Sequence, residues 1–165
     1  MTSKMSKLFA ASRGSALVLA GMLVLASGLT AAAQGDDGAR LEGTWRAQLT
    51  VRDCQTSAVL RTFPAMLAFN KGGTVTATTA GQLPSLSTSI LGVWHHINGH
   101  TYSAVTEAFI FSPAGAWIQT QRLTRLIQVS TDANTFTDTV ALEILGTDGN
   151  VIVTGCGSTV ASRME

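Results

Sequence analysis

The chain has 165 residues, 45% of them hydrophobic and 13% charged, and eleven Lys and Arg against ten Asp and Glu give a net charge of +1. So mild a charge argues against nucleic acid, which needs a basic face to displace the counterions of phosphates, and against an electrostatic membrane patch. What remains is a globular protein of ordinary domain size with a small partner.

Lys4, Lys7 and Arg13 precede an apolar run over residues 16–26, and Ala31-Ala32-Ala33 follows it. A positive segment, an apolar core too short to span a bilayer and a small-residue site are the parts of a secretory signal peptide. Residues 1–33 are therefore expected to be a signal peptide, with an uncleaved anchor as the alternative, and residues 34–40 a flexible N-terminal arm. Cleavage would leave eight Lys and Arg against ten Asp and Glu, a net of −2. The expected location is periplasmic or extracellular.

Residues 41–165 form the predicted barrel domain. Over residues 44–53, Trp45, Ala47, Leu49 and Val51 alternate with Arg46, Gln48, Thr50 and Arg52, the period of a half-buried strand. Residues 62–70 make a second strand, irregular at Pro64, and Lys71-Gly72-Gly73 turns into a β-branched third over 74–79. Residues 81–89, with Pro84 and three serines, read as a loop. The fourth strand spans 90–97, and Asn98-Gly99 is a two-residue hairpin signal leading to a fifth over 100–111. Ser112-Pro113-Ala114-Gly115 breaks the chain before a sixth over 117–130. The clearest alternation follows, with Phe136, Val140, Leu142 and Ile144 on one face, and Asp148-Gly149 closes the hairpin into an eighth strand over 151–163. Eight consecutive antiparallel strands with short connections predict an all-β fold, an up-and-down barrel; a β-sandwich is the competitor.

Cys54 and Cys156 are the only cysteines. Export would place them in an oxidising compartment, where one pair has one connectivity; two unpaired buried thiols are the alternative. Parity gives a test of closure. The Asp148-Gly149 turn puts even residues of strand seven on the face of odd residues of strand eight, so Val151, Val153, Gly155, Gly157 and Arg163 point inward. The odd face of strand one is also interior. Were the cysteines neighbours across an antiparallel pair, both would point outward, and Trp45 would meet Arg163 inside.

Gly43-Thr44-Trp45 at the start of the first strand, with Arg163 late on the last, resembles the calycin superfamily, lipocalins above all. In lipocalins that arginine packs across the tryptophan at the closed end, so the resemblance implies a structural role for Trp45 and Arg163 and a ligand-binding interior. The lipocalin motif between strands six and seven is matched only by Thr131-Asp132, with Ala133 in place of the aromatic. The helix that lipocalins append is not seen, and in this the chain is closer to avidins, although no biotin set can be matched. Small secreted bacterial metalloprotease inhibitors share such a barrel with one disulfide.

Candidate chemistry is sparse. His95, His96 and His100 lie about the hairpin; pairing Ile97 with His100 puts His95 and His100 diagonal on one face and His96 on the other, too few ligands for a closed metal site. Glu107 is read as sharing a face with Trp94 and Ser103. If that face is interior, a buried carboxyl could orient a ligand or act as an acid or base; if exterior, it is solvated. Arg122 and Arg125 fall on opposite faces of strand six. One could meet a ligand carboxylate, or pair with Glu107 or Asp138. The tentative ligand-binding set is Trp94, Tyr102, Glu107, Phe109, Phe111 and Trp117, which would line a cavity or plug it. No serine–histidine–acid triad, phosphate loop or dinucleotide fingerprint is present. The expectation is a monomeric, disulfide-stapled carrier of a small hydrophobic ligand, with no metal, cofactor, catalytic residue, nucleic acid or stable membrane insertion. A protein-binding inhibitor acting through loops such as 81–89 is the alternative, and a barrel-based isomerase or cyclase a third.

Overall fold

The alternation becomes eight strands in the computed structural model, which describes residues 40–165. The expected signal peptide and residues 34–39 of the arm lie outside the described residues. The strands are β1 (Gly43–Arg52), β2 (Val59–Asn70), β3 (Thr74–Thr79), β4 (Ile90–Asn98), β5 (Thr101–Phe111), β6 (Trp117–Val129), β7 (Thr135–Gly146) and β8 (Val151–Arg163), with one turn of 3-10 helix at Pro84–Leu86. Each pairs antiparallel with the next, and β1 also pairs with β8, so the sheet is a closed up-and-down barrel and not a sandwich.

Trp45 sits opposite Arg163 and Arg52 opposite Cys156, so residues of equal parity share a face across the seam. The odd face of β1 is interior: Trp45, Ala47 and Leu49 are buried. The interior of β7 is Phe136, Asp138 and Val140. Cys54 and Cys156 form a disulfide with Cα atoms 5.2 Å apart, linking the end of β1 to β8. A crosslink of this kind fits a compartment other than the reducing cytoplasm.

One register differs from the sequence reading. The structure pairs His96 with Tyr102 and Asn98 with Thr101, and the register shifts between His96 and Asn98. A bulged residue at the hairpin therefore slips β4 by one residue against β5, so that Trp94 no longer shares a face with Ser103 and Glu107. Trp94 pairs with Ala104 and faces inward, and Glu107 pairs with Leu91 on the outside. His96, not His95, lies beside Tyr102, with ring centroids 5.0 Å apart.

The seam also explains the glycine of Gly43-Thr44-Trp45. The Arg163 guanidinium lies 4.3 Å over the Trp45 ring. Its Nη1 donates to the Glu42 carbonyl at 2.6 Å, Nη2 to the Arg40 carbonyl at 2.5 Å and Nε to the Ala133 carbonyl at 2.8 Å. Gly43 has φ of 121°, and a Cβ there would stand 2.6 Å from Arg163 Nη1. Only glycine provides both that backbone conformation and that space. Ala133, with φ of 56°, joins the cluster through its carbonyl.

Two outcomes are expected. Gly43→Ala should destabilise the chain by about 2–4 kcal/mol in urea unfolding, but by only about 1 kcal/mol in an Arg163→Met background, where the clash is gone and the backbone strain remains. Replacing both cysteines by serine should cost about 4–5 kcal/mol if the disulfide acts by restricting the unfolded chain.

Candidate functional site

The two ends of the barrel are built from different residue sizes. At the end carrying the Trp45–Arg163 contact, the interior is aromatic. Trp45 packs edge-on against Phe136 with ring centroids 4.9 Å apart, Phe136 against Phe69 at 6.1 Å, Phe69 against Trp94 at 6.2 Å and Trp94 against Tyr102 at 5.9 Å. The polar edges of two of these rings are satisfied: Trp45 Nε1 donates to the Leu41 carbonyl at 2.9 Å and Trp94 Nε1 to that of Asn70 at 3.1 Å. Such a stack fills its end of the barrel and excludes water.

Toward the other end, the inward positions are small or aliphatic. Ala65, Ala77 and Gly157, with Leu49, Leu123 and Val140, line a cavity of about 60 Å³ that opens at the mouth, where Arg61, Phe63, Gly81 and Gln82 form its lip. Gly157 has no room for a side chain: a Cβ would stand 2.9 Å from the Thr50 carbonyl oxygen. Gly81 similarly admits the Phe63 ring, 2.6 Å from where its Cβ would be. At roughly 10–15 Å³ per water the cavity has space for about four to six waters, well short of the roughly 300 Å³ or more of a pocket that swallows a drug-sized molecule. A ligand that enters must be narrow, or leave its outer part in the mouth.

One member of a buried polar cluster reaches this cavity. Arg125 lines it, is 4% exposed, and pairs with the buried Asp138, Nη1 to Oδ2, at 2.5 Å. The same Nη1 donates to Thr159 Oγ1 at 2.9 Å. Asp138 stands directly opposite Thr159, and Thr106 is opposite Leu123, one inward position from Arg125. Among the described residues, three buried side-chain polar atoms have no hydrogen-bond partner: Arg125 Nε, Asp138 Oδ1 and Thr106 Oγ1. All three belong to inward-facing residues. An unpartnered buried polar atom costs about 1–3 kcal/mol, so three on one interior wall are a notable expense for a barrel that could have been filled with leucine.

Several large apolar side chains are exposed around the mouth. Val59, Leu60, Leu83, Trp117, Ile118 and Ile152 are each 45% exposed or more, and all lie in or beside the four connections at this end. Beside the connections at the other end, Ile97 alone of the large apolar residues is comparably exposed. The exposed turn aspartates Asp53 and Asp148 cap mouth connections, and backbone N–H donors hold both carboxyls below the usual carboxylate range.

The residues singled out from sequence are scattered. Trp94 and Tyr102 are interior but belong to the aromatic plug. Glu107 is on the outer wall, accepting from Arg122 Nε at 2.7 Å, which together with the Glu107 charge raises the Arg122 pKa. Phe109 is 51% exposed on the same wall, its ring 5.8 Å from that of Trp117 at the rim. Phe111 is half-buried at the end of β5, paired with Trp117. None of these six lines the mouth cavity. Both faces of β5 are apolar, and the hairpin bulge puts Trp94 and Glu107 on opposite faces. His96 Nε2 contacts the Gly99 carbonyl at 2.9 Å, and no group of three or more His, Cys, Asp or Glu among the described residues is placed to hold a metal. The cavity-lining residues missed from sequence carried one usable signal, the run of inward Ala and Gly on β2, β3 and β8.

The chain matches no protein-family model and no curated protein sequence. The site must therefore be read from its own chemistry. Removing one partner of the buried pair should be costly and removing both should not: Asp138→Ala is expected to lose about 3–5 kcal/mol in thermal or urea unfolding, while Arg125→Met with Asp138→Leu should stay within about 1 kcal/mol of the native chain or exceed it.

Proposed function

We propose that this is an exported carrier of the calycin type, which holds a small, mostly apolar molecule noncovalently in the mouth of its barrel. One observation carries the reading: an apolar cavity, with Arg125 in its wall, opens at the end opposite the aromatic plug. The aliphatic walls would supply contact area and exclude water, and Arg125 would orient the polar end of the ligand. Trp45, Arg163 and the disulfide serve the scaffold. The size of the cavity favours a narrow ligand that remains partly within the rim.

A second reading, a secreted inhibitor that binds a protein through its loops, is favoured by the exposed apolar collar, with Leu83 at 64% exposure on the 80–89 connection. Apolar surface gathered at one end of a protein is a frequent mark of an interaction site.

The two readings place binding at different residues. A neutral fluorophore that brightens in apolar surroundings, N-phenyl-1-naphthylamine, is expected to bind the native chain, and to bind Ala77→Phe at least about tenfold more weakly, because the new ring occupies the cavity. Leu83→Asp should leave that affinity within about threefold, as a rim position. Equal binding by native and Ala77→Phe proteins of unchanged circular dichroism would remove the interior site, and loss of binding in Leu83→Asp alone would shift the assignment to the collar.

A further inference from the structure

We infer that Phe63 is the gate of the mouth cavity: its ring, seated in the space left by Gly81, holds the cavity closed and swings out to admit a ligand. This rests on the carrier reading above and adds how the same cavity opens.

Phe63 is an inward residue of β2 opposite Leu49 of β1, and both line the cavity. Pairing between β2 and β3 stops at Ala65 and Thr79, so no strand flanks Phe63 on its second side. The connection from β3 to β4 stands there instead, and it is tied down where it leaves β3. Ala80 N–H donates to the Pro64 carbonyl at 3.0 Å, and Gly81 N–H to Thr79 Oγ1 at 3.0 Å. Gly81 is therefore held in place beside the ring.

A Cβ at Gly81 would stand 2.6, 2.7 and 2.8 Å from Cε2, Cζ and Cδ2 of Phe63, nearer than carbon atoms approach. The edge of the ring fills the volume of the missing side chain. The backbone of Gly81, unlike that of Gly72 or Gly149, lies outside the left-handed region. Conformation does not call for glycine here; the ring does.

On its face the ring carries only the exposed Arg61 guanidinium, 4.7 Å from the centroid, a contact that is weak where solvent reaches it. Phe63 itself is half-buried, whereas Phe69 and Phe136 of the plug are 2% and 1% exposed. With the ring seated, the cavity of about 60 Å³ is too small for a two-ring molecule. When the ring swings toward solvent, the space it held joins the cavity. Affinity is then reduced by the fraction of the time that the ring is seated.

The experiment is fluorescence titration of N-phenyl-1-naphthylamine into the native chain, Gly81→Ala, Phe63→Ala and the double variant. Gly81→Ala adds a methyl group to the lip and leaves the cavity no larger. It should nevertheless tighten binding at least about fivefold, because the ring loses its seat and the closed state is disfavoured. Phe63→Ala should tighten binding at least as much. Adding Gly81→Ala to it should change affinity by less than about twofold, since no ring remains to be unseated. Should Phe63→Ala fail to fold, Phe63→Leu takes its place in the cycle. Unchanged or weaker binding by Gly81→Ala would make the ring a fixed part of the wall, overturning the inference and leaving the carrier reading standing. An equal effect of Gly81→Ala with and without the ring would overturn it in the same way. Binding of the fluorophore by none of the four proteins would overturn both.

Discussion

Arg163 is where the first and last strands of the chain are held together. Its guanidinium covers the Trp45 ring and donates to carbonyls at Arg40, Glu42 and Ala133, so one side chain ties the entry to β1, the end of β8 and the connection between β6 and β7. A sheet of eight strands has two exposed edges until that closure is made, and an unpaired edge is open to pairing with other chains. Closure also requires Gly43, because the guanidinium occupies the place of its side chain. The disulfide from Cys54 to Cys156 secures the same seam toward the opposite end. With both ends of the seam fixed, the register of β8 against β1 is set.

Once the register is set, side-chain size divides the interior. The aromatic stack from Trp45 to Tyr102 fills one half, and alanine, glycine and aliphatic residues leave space in the other. Between the two lies the Arg125–Asp138 pair. A buried ion pair is weak evidence for stability, since well-packed apolar residues of the same volume often serve as well or better. Arg125 of this pair reaches the cavity wall, while Asp138 is buried behind it.

Much of this was legible from residue order. The odd parity of β1, the outward cysteines and the meeting of Trp45 with Arg163 followed from alternation and one tight turn, because closing a barrel leaves little freedom of phase. Arg122 and Arg125 were separable onto two faces by the same argument, and the pairing of each with Glu107 and Asp138 was among the alternatives. The candidate ligand residues were not legible. On β4 and β5 both faces are apolar, so alternation carries no phase there, and a single bulge at the hairpin separates Trp94 from Glu107, which the sequence reading put on one face. Large aromatics were also a poor guide to a cavity: in this barrel they mark where space has been filled. The informative residues were the small inward ones, Ala65, Ala77 and Gly157.

The most direct test of an occupied interior is native mass spectrometry of the protein purified from the compartment in which it matures, followed by denaturation of the same sample. The account requires a complex heavier than the disulfide-bonded chain by one small molecule of defined mass, released on denaturation and soluble in apolar solvent. A bare chain mass under the gentlest ionisation, from preparations that were never exposed to detergent or organic solvent, would contradict it.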